Sequence, residues 1–124
     1  MLKGSIAGAL ETLEQLDALD PQSIVAGHGP VGGPELIDDV RGYLRFVQEV
    51  ATRGVAAGIS PLEAALSTDL GEFSDLLDSE RLVGNLHRAY AEKRGEPRGA
   101  PLDAAAALAD MVTFNGGKPL TCRA

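Results

Sequence analysis

A histidine between two glycines is the feature of this 124-residue sequence that could carry chemistry. Residues 27–30 read Gly-His-Gly-Pro, and they directly follow a short apolar run, Ser-Ile-Val-Ala, at residues 23–26. Flanking glycines permit positive φ angles and keep neighbouring side chains away from the imidazole of His28. Such a histidine suits a metal ligand or a general base, and it equally suits a loop position without a chemical role.

The other residues with reactive side chains do not point to a second site. His87 comes one residue after Leu86 on a predicted helix, which favours a structural, partly buried histidine. Cys122 is the single cysteine, so an internal disulfide and a multi-cysteine zinc site are excluded. We expect Cys122 to be a free thiol and not a nucleophile. Asp38 and Asp39 are adjacent on a predicted helix, where neighbouring side chains point about 100° apart, so they are expected to face solvent separately.

The composition restricts the class of protein. Hydrophobic residues make up 44% and charged residues 23% of the chain, which predicts a packed core. A net charge of −7 argues against nucleic acid, because a binder of phosphates needs a basic face. No apolar run approaches the length of about 18 residues that a membrane span requires. The N-terminal residues lack the apolar core of a signal peptide, so a soluble cytoplasmic protein is expected.

Apolar periodicity and capping residues predict a chain that is mostly α-helical. Ser5 is a candidate N-cap, Pro34 suits the first position of a helix, and Ser60 with Glu63 forms a capping box. Gly58 is suited to end the second helix. Residues 70–77 fit either a loop or one further helical turn. The predicted helices cover residues 5–19, 34–57, 60–68, 79–94 and 102–114, with residue 78 as an alternative cap for the fourth.

Only one strand is predicted, at residues 23–26. Its backbone groups need a partner, and the chain offers no evident second strand. The glycines and prolines of the following loop are expected to exclude a helix or a strand ladder there. The organisation is therefore helix, strand and loop over residues 1–33, a helical region over 34–95, and a linker, helix and tail over 96–124. A strand without a partner indicates that further strands, which this sequence does not contain, are needed to complete the fold.

The order of these segments is typical of one family. A leucine-striped helix leads to a short strand, a Gly-His-Gly-Pro turn and a long helix, followed by Gly-Ile-Ser-Pro-Leu-Glu-Ala at residues 58–64. In this order and spacing, residues 4–92 resemble the C-terminal half of a metallo-β-lactamase-fold hydrolase. Ala26 stands where proline is common in that family, and this departure leaves His28 untouched.

The resemblance implies an αβ/βα sandwich in which a metal-bound hydroxide attacks an ester, thioester, amide or similar bond. It implies a site for two metal ions, usually zinc, with His28 as one ligand. The remaining ligands come from an upstream His-x-His-x-Asp-His motif and a later His and Asp, which this sequence lacks. Since catalytic zinc takes three protein ligands, we expect a C-terminal fragment that is inactive alone. The helices after Gly58 are expected to surround the substrate entrance, and the substrate is not indicated.

A second interpretation is a non-catalytic helical module for binding or assembly. Charge is segregated in a way that fits such a module: residues 63–80 contain six acids and no base, whereas residues 81–98 contain five bases and two acids. These stretches are expected to form solvated helix surfaces that can pair with each other.

Self-association is also predicted, most simply as a homodimer. Without most of a sheet, the apolar face of the first helix would lie in solvent, and soluble monomers rarely tolerate a contiguous apolar patch. A two-fold interface would cover that patch in both copies. The residues expected in the patch are Ile6, Leu10, Leu13 and Leu16.

Overall fold

Five α-helices and one 3-10 turn account for most of the computed structural model, which describes residues 2–121. The mostly helical character predicted from the sequence is confirmed. None of the helices within those residues is both long and apolar enough to cross a membrane. The helices are α1 (Ile6–Asp17), α2 (Glu35–Ala57), α3 (Pro61–Leu66), α4 (Arg81–Lys93) and α5 (Ala104–Phe114), with the 3-10 turn at Gly71–Phe73 between α3 and α4.

Side-chain caps fix several of these helix ends as the sequence predicts. The Ser5 hydroxyl accepts a hydrogen bond from the Gly8 N–H at 2.9 Å, which caps α1. Ser60 and Glu63 form the predicted capping box at the start of α3. Gly58 ends α2 with a left-handed φ of 68°, a conformation that glycine adopts without strain.

The starts of α2 and α4 differ from the prediction. Pro34 is the N-cap of α2 and not its first helical residue. α4 begins at Arg81, after Glu80, so the predicted cap at residue 78 or 79 is wrong. The physical reason lies in Asp78, which is 5% exposed and has a left-handed φ of 54°. This left-handed backbone departs from the extended conformation that is typical of an N-cap residue. The Asp78 carboxylate accepts a hydrogen bond from the Thr121 hydroxyl at 3.4 Å.

The core surrounds α4, which contacts each of the other four helices. Val83 and Leu86 on α4 are completely buried, as is Val47 on α2. α2 approaches α4 closely at Gly54, where an added Cβ would lie 1.8 Å from the hydroxyl oxygen of Tyr90. A glycine is therefore required at this helix crossing.

The predicted strand at residues 23–26 is reduced to a single antiparallel bridge between Ile24 and Gly32. The Ile24 N–H donates to the Gly32 carbonyl at 2.7 Å, and the Gly32 N–H donates to the Ile24 carbonyl at 3.1 Å. Residues 27–33 form neither a helix nor a ladder, as predicted, and the single bridge to Gly32 pairs the backbone groups of Ile24. An added Cβ at Gly32 would lie 2.8 Å from Leu36. Beyond this bridge residues 2–121 form no sheet, so the implied α/β sandwich has no support in them.

The N-terminal end of α1 is held by α4. The Glu92 carboxylate accepts hydrogen bonds from the N–H groups of Ile6 at 2.8 Å and Ala7 at 3.1 Å. Arg88, which is completely buried, donates to the Leu2 carbonyl at 2.8 Å. A carboxylate at this position satisfies unpaired helical N–H groups and complements the positive end of the helix dipole.

This attachment corrects the expected exposure of the first helix. Ile6 was predicted to face solvent and is completely buried, because the α4 side chains hold the first turn of α1 against the core. Leu10 and Leu13 are half-buried and pack against the core cluster. Leu16, by contrast, is 45% exposed. The apolar patch is therefore confined to the C-terminal end of α1.

Candidate functional site

His28 lies in an exposed loop that the Ile24–Gly32 bridge closes at its base. Gly29 has a φ of 86°, a left-handed conformation that glycine adopts readily. A Cβ added at either Gly27 or Gly29 would meet nothing within 4 Å. The loop therefore projects from the helices and can be approached from outside, which is the position that the flanking glycines predict for His28.

The described residues do not assemble a metal centre around His28. Among residues 2–121, no group of three or more His, Cys, Asp or Glu side chains is placed to hold a metal ion. A catalytic zinc takes three protein ligands and an open position, so these residues alone do not fit the zinc site that the resemblance implies. The role of His28 as a single ligand stays a prediction.

His87 is partly buried, as predicted. Its Nε2 lies 2.8 Å from an Asp110 carboxylate oxygen, and the side chains are 18% and 31% exposed. This pair joins α4 to α5. Asp38 and Asp39 are both exposed, in agreement with the prediction. Cys122 lies outside the described residues.

An apolar groove adjoins the His28 loop and has a volume of about 350 Å³. It lies between the C-terminal half of α1, the bridged loop and the start of α2, and we call it the α1–α2 groove. Leu19 is 75% exposed and Leu16 is 45% exposed at its edge. The groove is lined by Leu13, Leu16, Leu19, Pro21, Ser23, Ile24, Ala26, Leu36, Ile37 and Val40.

A second depression of about 460 Å³ shares Val40 with this groove. Its apolar part includes Phe73, whose ring centroid lies 5.5 Å from that of Tyr43 in an edge-to-face arrangement. Asp39 and Glu72 provide carboxylates at its edge. The apolar surface thus continues from α1 across α2 to the 3-10 turn. The sequence analysis did not predict that these apolar residues form one surface. Its sequence signals are two series of apolar residues, Leu13, Leu16 and Leu19 on one side and Leu36, Ile37 and Val40 on the other.

The basic residues along and after α4 are engaged with other parts of the chain. Arg98 forms a bidentate pair with Glu11 on α1 at 2.6 and 2.7 Å, and Arg81 donates to the Thr121 carbonyl at 2.8 Å. Arg88 is buried. The hydrogen bond from Arg98 and its positive charge lower the pKa of the Glu11 carboxyl. These three arginines therefore do not provide the expected pairing with the acidic stretch before α4.

Comparison of the chain with protein families, curated proteins and solved structures finds no match. The resemblance to metallo-β-lactamase-fold hydrolases therefore depends on the segment order and on residues 27–30.

Proposed function

We propose that this chain is the C-terminal part of a metallo-β-lactamase-superfamily hydrolase. In this role it supplies His28 as one metal ligand and contributes helices around the substrate entrance. The supporting observation is the position of His28 in a projecting, glycine-flanked loop that borders an open apolar groove. Ala26, two residues before His28, lines that groove.

The geometry of the loop suits His28 as one metal ligand that acts together with ligands from another part of the polypeptide. The Ile24–Gly32 bridge fixes the base of the loop, and the space beside Gly27 and Gly29 is open. Additional polypeptide can therefore approach the loop beside Gly27 and Gly29. The adjoining exposed leucines support the same view, because contiguous apolar surface in soluble proteins usually marks a binding surface.

The proposal is tested by a His28→Ala substitution in a polypeptide that also carries the remaining ligands. We expect activity to fall by orders of magnitude and metal content to fall with it, since alanine cannot replace a ligand. Val31→Ala is the matched control, because Val31 is an exposed residue of the same loop. Unchanged activity and metal content in His28→Ala would remove His28 from the site.

The isolated 124-residue chain provides the second arm of this experiment. We expect well under one zinc ion per chain after dialysis and no turnover of ester, thioester or β-lactam substrates. The reason is the number of ligands: the described residues contain no group that could hold the ion. A stoichiometric zinc that survives dialysis, or turnover that a chelator abolishes, would contradict the proposed incompleteness of the site.

A non-catalytic helical module for binding or assembly is the second candidate function. It is favoured by the closed core, in which Val83, Leu86 and Val47 are completely buried within the described residues. In this case the chain folds around α4 and presents the groove as its functional surface, without any role for His28 in chemistry.

A further inference from the structure

We propose that a basic depression on α2 and α4 binds a small ligand that carries two phosphate groups. We call it the Arg45–Arg53 depression, and its volume is about 450 Å³. The inference goes beyond the hydrolase proposal, because the depression shares no residue with the His28 loop or with the α1–α2 groove. The depression is lined by Arg45, Gln48, Glu49, Thr52, Arg53 and Lys93.

The lining is positively charged in a chain that is acidic overall. Three of its six side chains are cations, namely Arg45, Arg53 and Lys93, and Glu49 is a carboxylate. Three positive charges against one negative charge leave two positive charges here, whereas the whole chain has a net charge of −7. A concave surface lined mainly by one sign of charge attracts ions of the opposite sign. The ligand that fits is therefore an anion.

The three cations of the depression are not used to hold the fold together. Their side chains form no hydrogen bond or ion pair with another residue between positions 2 and 121. By contrast, Arg41 pairs with Asp17 and Asp38, and Arg98 pairs with Glu11. A guanidinium without an internal partner keeps its N–H donors available for a ligand.

Helical spacing places most of the lining on one face of α2. Arg45, Glu49 and Arg53 follow one another at intervals of four residues, and Gln48 and Thr52 lie on the same side. Residues at intervals of three and four are neighbours on a helix surface. Eight residues of helix rise about 12 Å, so the two arginines begin about that far apart. This spacing suits a ligand with two anionic groups, each facing one guanidinium.

The third cation comes from α4. The two helices approach each other closely at Gly54, where an added Cβ would lie 1.8 Å from the Tyr90 hydroxyl oxygen. Arg53 is the neighbour of Gly54 in α2, and Lys93 follows Tyr90 in α4 by three residues. Both cations line the depression, so the packing of two helices holds positive charge at one place.

Phosphate fits these donors better than other anions. A guanidinium donates two parallel N–H bonds to phosphate or carboxylate oxygens, and a lysine ammonium adds a compact charge. A phosphate group carries a charge of about −2 at pH 7 and three acceptor oxygens, so it uses more of these donors than a carboxylate does. Aromatic and aliphatic side chains do not line the depression. The rest of the ligand is therefore expected to be small and polar.

Isothermal titration calorimetry of the 124-residue chain with inorganic pyrophosphate tests the proposal. Orthophosphate, with one phosphate group, and citrate, with carboxylates only, are compared at the same pH and ionic strength. We expect pyrophosphate to bind at least about tenfold more tightly than either, because each of its phosphate groups can meet a guanidinium. A short oligoglutamate peptide represents an acidic segment of a partner protein, and we expect it to bind more weakly than pyrophosphate.

Paired substitutions locate the binding site. Arg45→Gln with Arg53→Gln is expected to lower the affinity for pyrophosphate at least about tenfold, because both bidentate donors are removed. Lys3→Gln with Lys118→Gln is the matched control, since it removes two exposed positive charges that do not line the depression. The control is expected to change the affinity less than about twofold, because exposed charges outside the site are screened by salt. Circular dichroism of each variant verifies that the helices are retained.

Single substitutions test the other charges of the lining. Lys93→Gln is expected to lower the affinity for pyrophosphate, since it removes the cation of α4. Glu49→Gln is expected to raise the affinity about two- to threefold, because a like charge beside the anion is removed. Glu14→Gln, an exposed glutamate on α1, is its control. A separate His28→Ala variant is expected to bind pyrophosphate normally, so failure of the hydrolase proposal remains distinguishable.

Three results would overturn the proposal. The first is a dissociation constant for pyrophosphate above about 1 mM. The second is equal or tighter binding of orthophosphate, citrate or the oligoglutamate peptide, because two linked phosphate groups would then give no advantage. The third is an equal loss of affinity in the double arginine variant and in the double lysine control, because the attraction would then not come from the depression.

Discussion

The two ends of α1 are alike in sequence and differ in what lies against them. At the N-terminal end, Ile6 is completely buried, and Glu92 accepts hydrogen bonds from the first helical N–H groups. At the C-terminal end, Leu16 is 45% exposed, and Leu19 beyond the helix is 75% exposed. Both ends belong to one apolar stripe. The periodic apolar stripe predicts which face of α1 turns toward the core. How much of that face is buried depends on how far the elements packed against α1 extend along it.

The largest expected difference in the free energy of unfolding is between a leucine-to-alanine substitution in the core and the same substitution in the groove. Leu86→Ala is expected to lower the free energy of unfolding by about 2–5 kcal/mol, because it leaves a cavity at a completely buried position. Leu19→Ala is expected to change the free energy of unfolding by less than about 0.5 kcal/mol, because Leu19 is 75% exposed. Urea denaturation measures both values. Equal losses would mean that the groove is covered in solution.

The next largest expected effect on the free energy of unfolding comes from breaking the attachment of α1 to α4. Glu92→Ala is expected to lower the free energy of unfolding by about 1–2 kcal/mol, because two helical N–H groups lose their acceptor. Hydrogen exchange at the amides of Ile6 and Ala7 is expected to accelerate. Glu96→Ala, an exposed glutamate four residues later, is the control. Unchanged protection at Ile6 in Glu92→Ala would show that packing alone holds the N-terminal end.

The smallest effect is a loss of stability in acid that involves Glu11 on α1 and Glu35 at the start of α2. The Arg98 hydrogen bond lowers the pKa of Glu11 from its ordinary value of 4.5, and the Gly33 N–H lowers that of Glu35 in the same direction. A carboxyl with a lowered folded-state pKa stabilises the fold at pH values above the unfolded-state pKa. This contribution is lost as the pH falls through the folded-state pKa.

We therefore expect the free energy of unfolding to decline as the pH falls below about 4.5, because the two carboxyls then take up protons in the unfolded state before they do so in the folded state. The contribution is fully lost only below the lowered folded-state pKa values. Glu11→Gln and Glu35→Gln should each flatten this decline, and Glu14→Gln serves as the exposed control. Chemical denaturation at a series of pH values provides the measurement. An identical pH profile in the Glu11→Gln variant would show that the pair with Arg98 does not stabilise the fold.

Local signals were sufficient to predict the helices, and long-range contacts were not predictable from them. Ser5 and Ser60 mark helix starts through hydrogen bonds to residues three positions later, which a sequence pattern contains. The bond from Ile6 to Glu92 joins residues 86 positions apart, and no local pattern indicates it. The Ile24–Gly32 bridge is not predictable from the sequence for a different reason, because Gly32 lies in a glycine-rich loop without a strand pattern of its own.

The candidate site was predictable to the same limited extent. The exposed position of His28 follows from its flanking glycines, which are local features. The groove beside it depends on how α1 packs across the start of α2, so Leu19 and Val40 could not be assigned to one surface beforehand.

Intact mass spectrometry of the polypeptide from its native source tests most directly whether His28 works with ligands from elsewhere in the same protein. The proposed hydrolase predicts a species heavier than the 12.9 kDa of this chain, with a His-x-His-x-Asp-His motif on the N-terminal side of residue 1. A single native species of 12.9 kDa would contradict the proposal and favour the helical module.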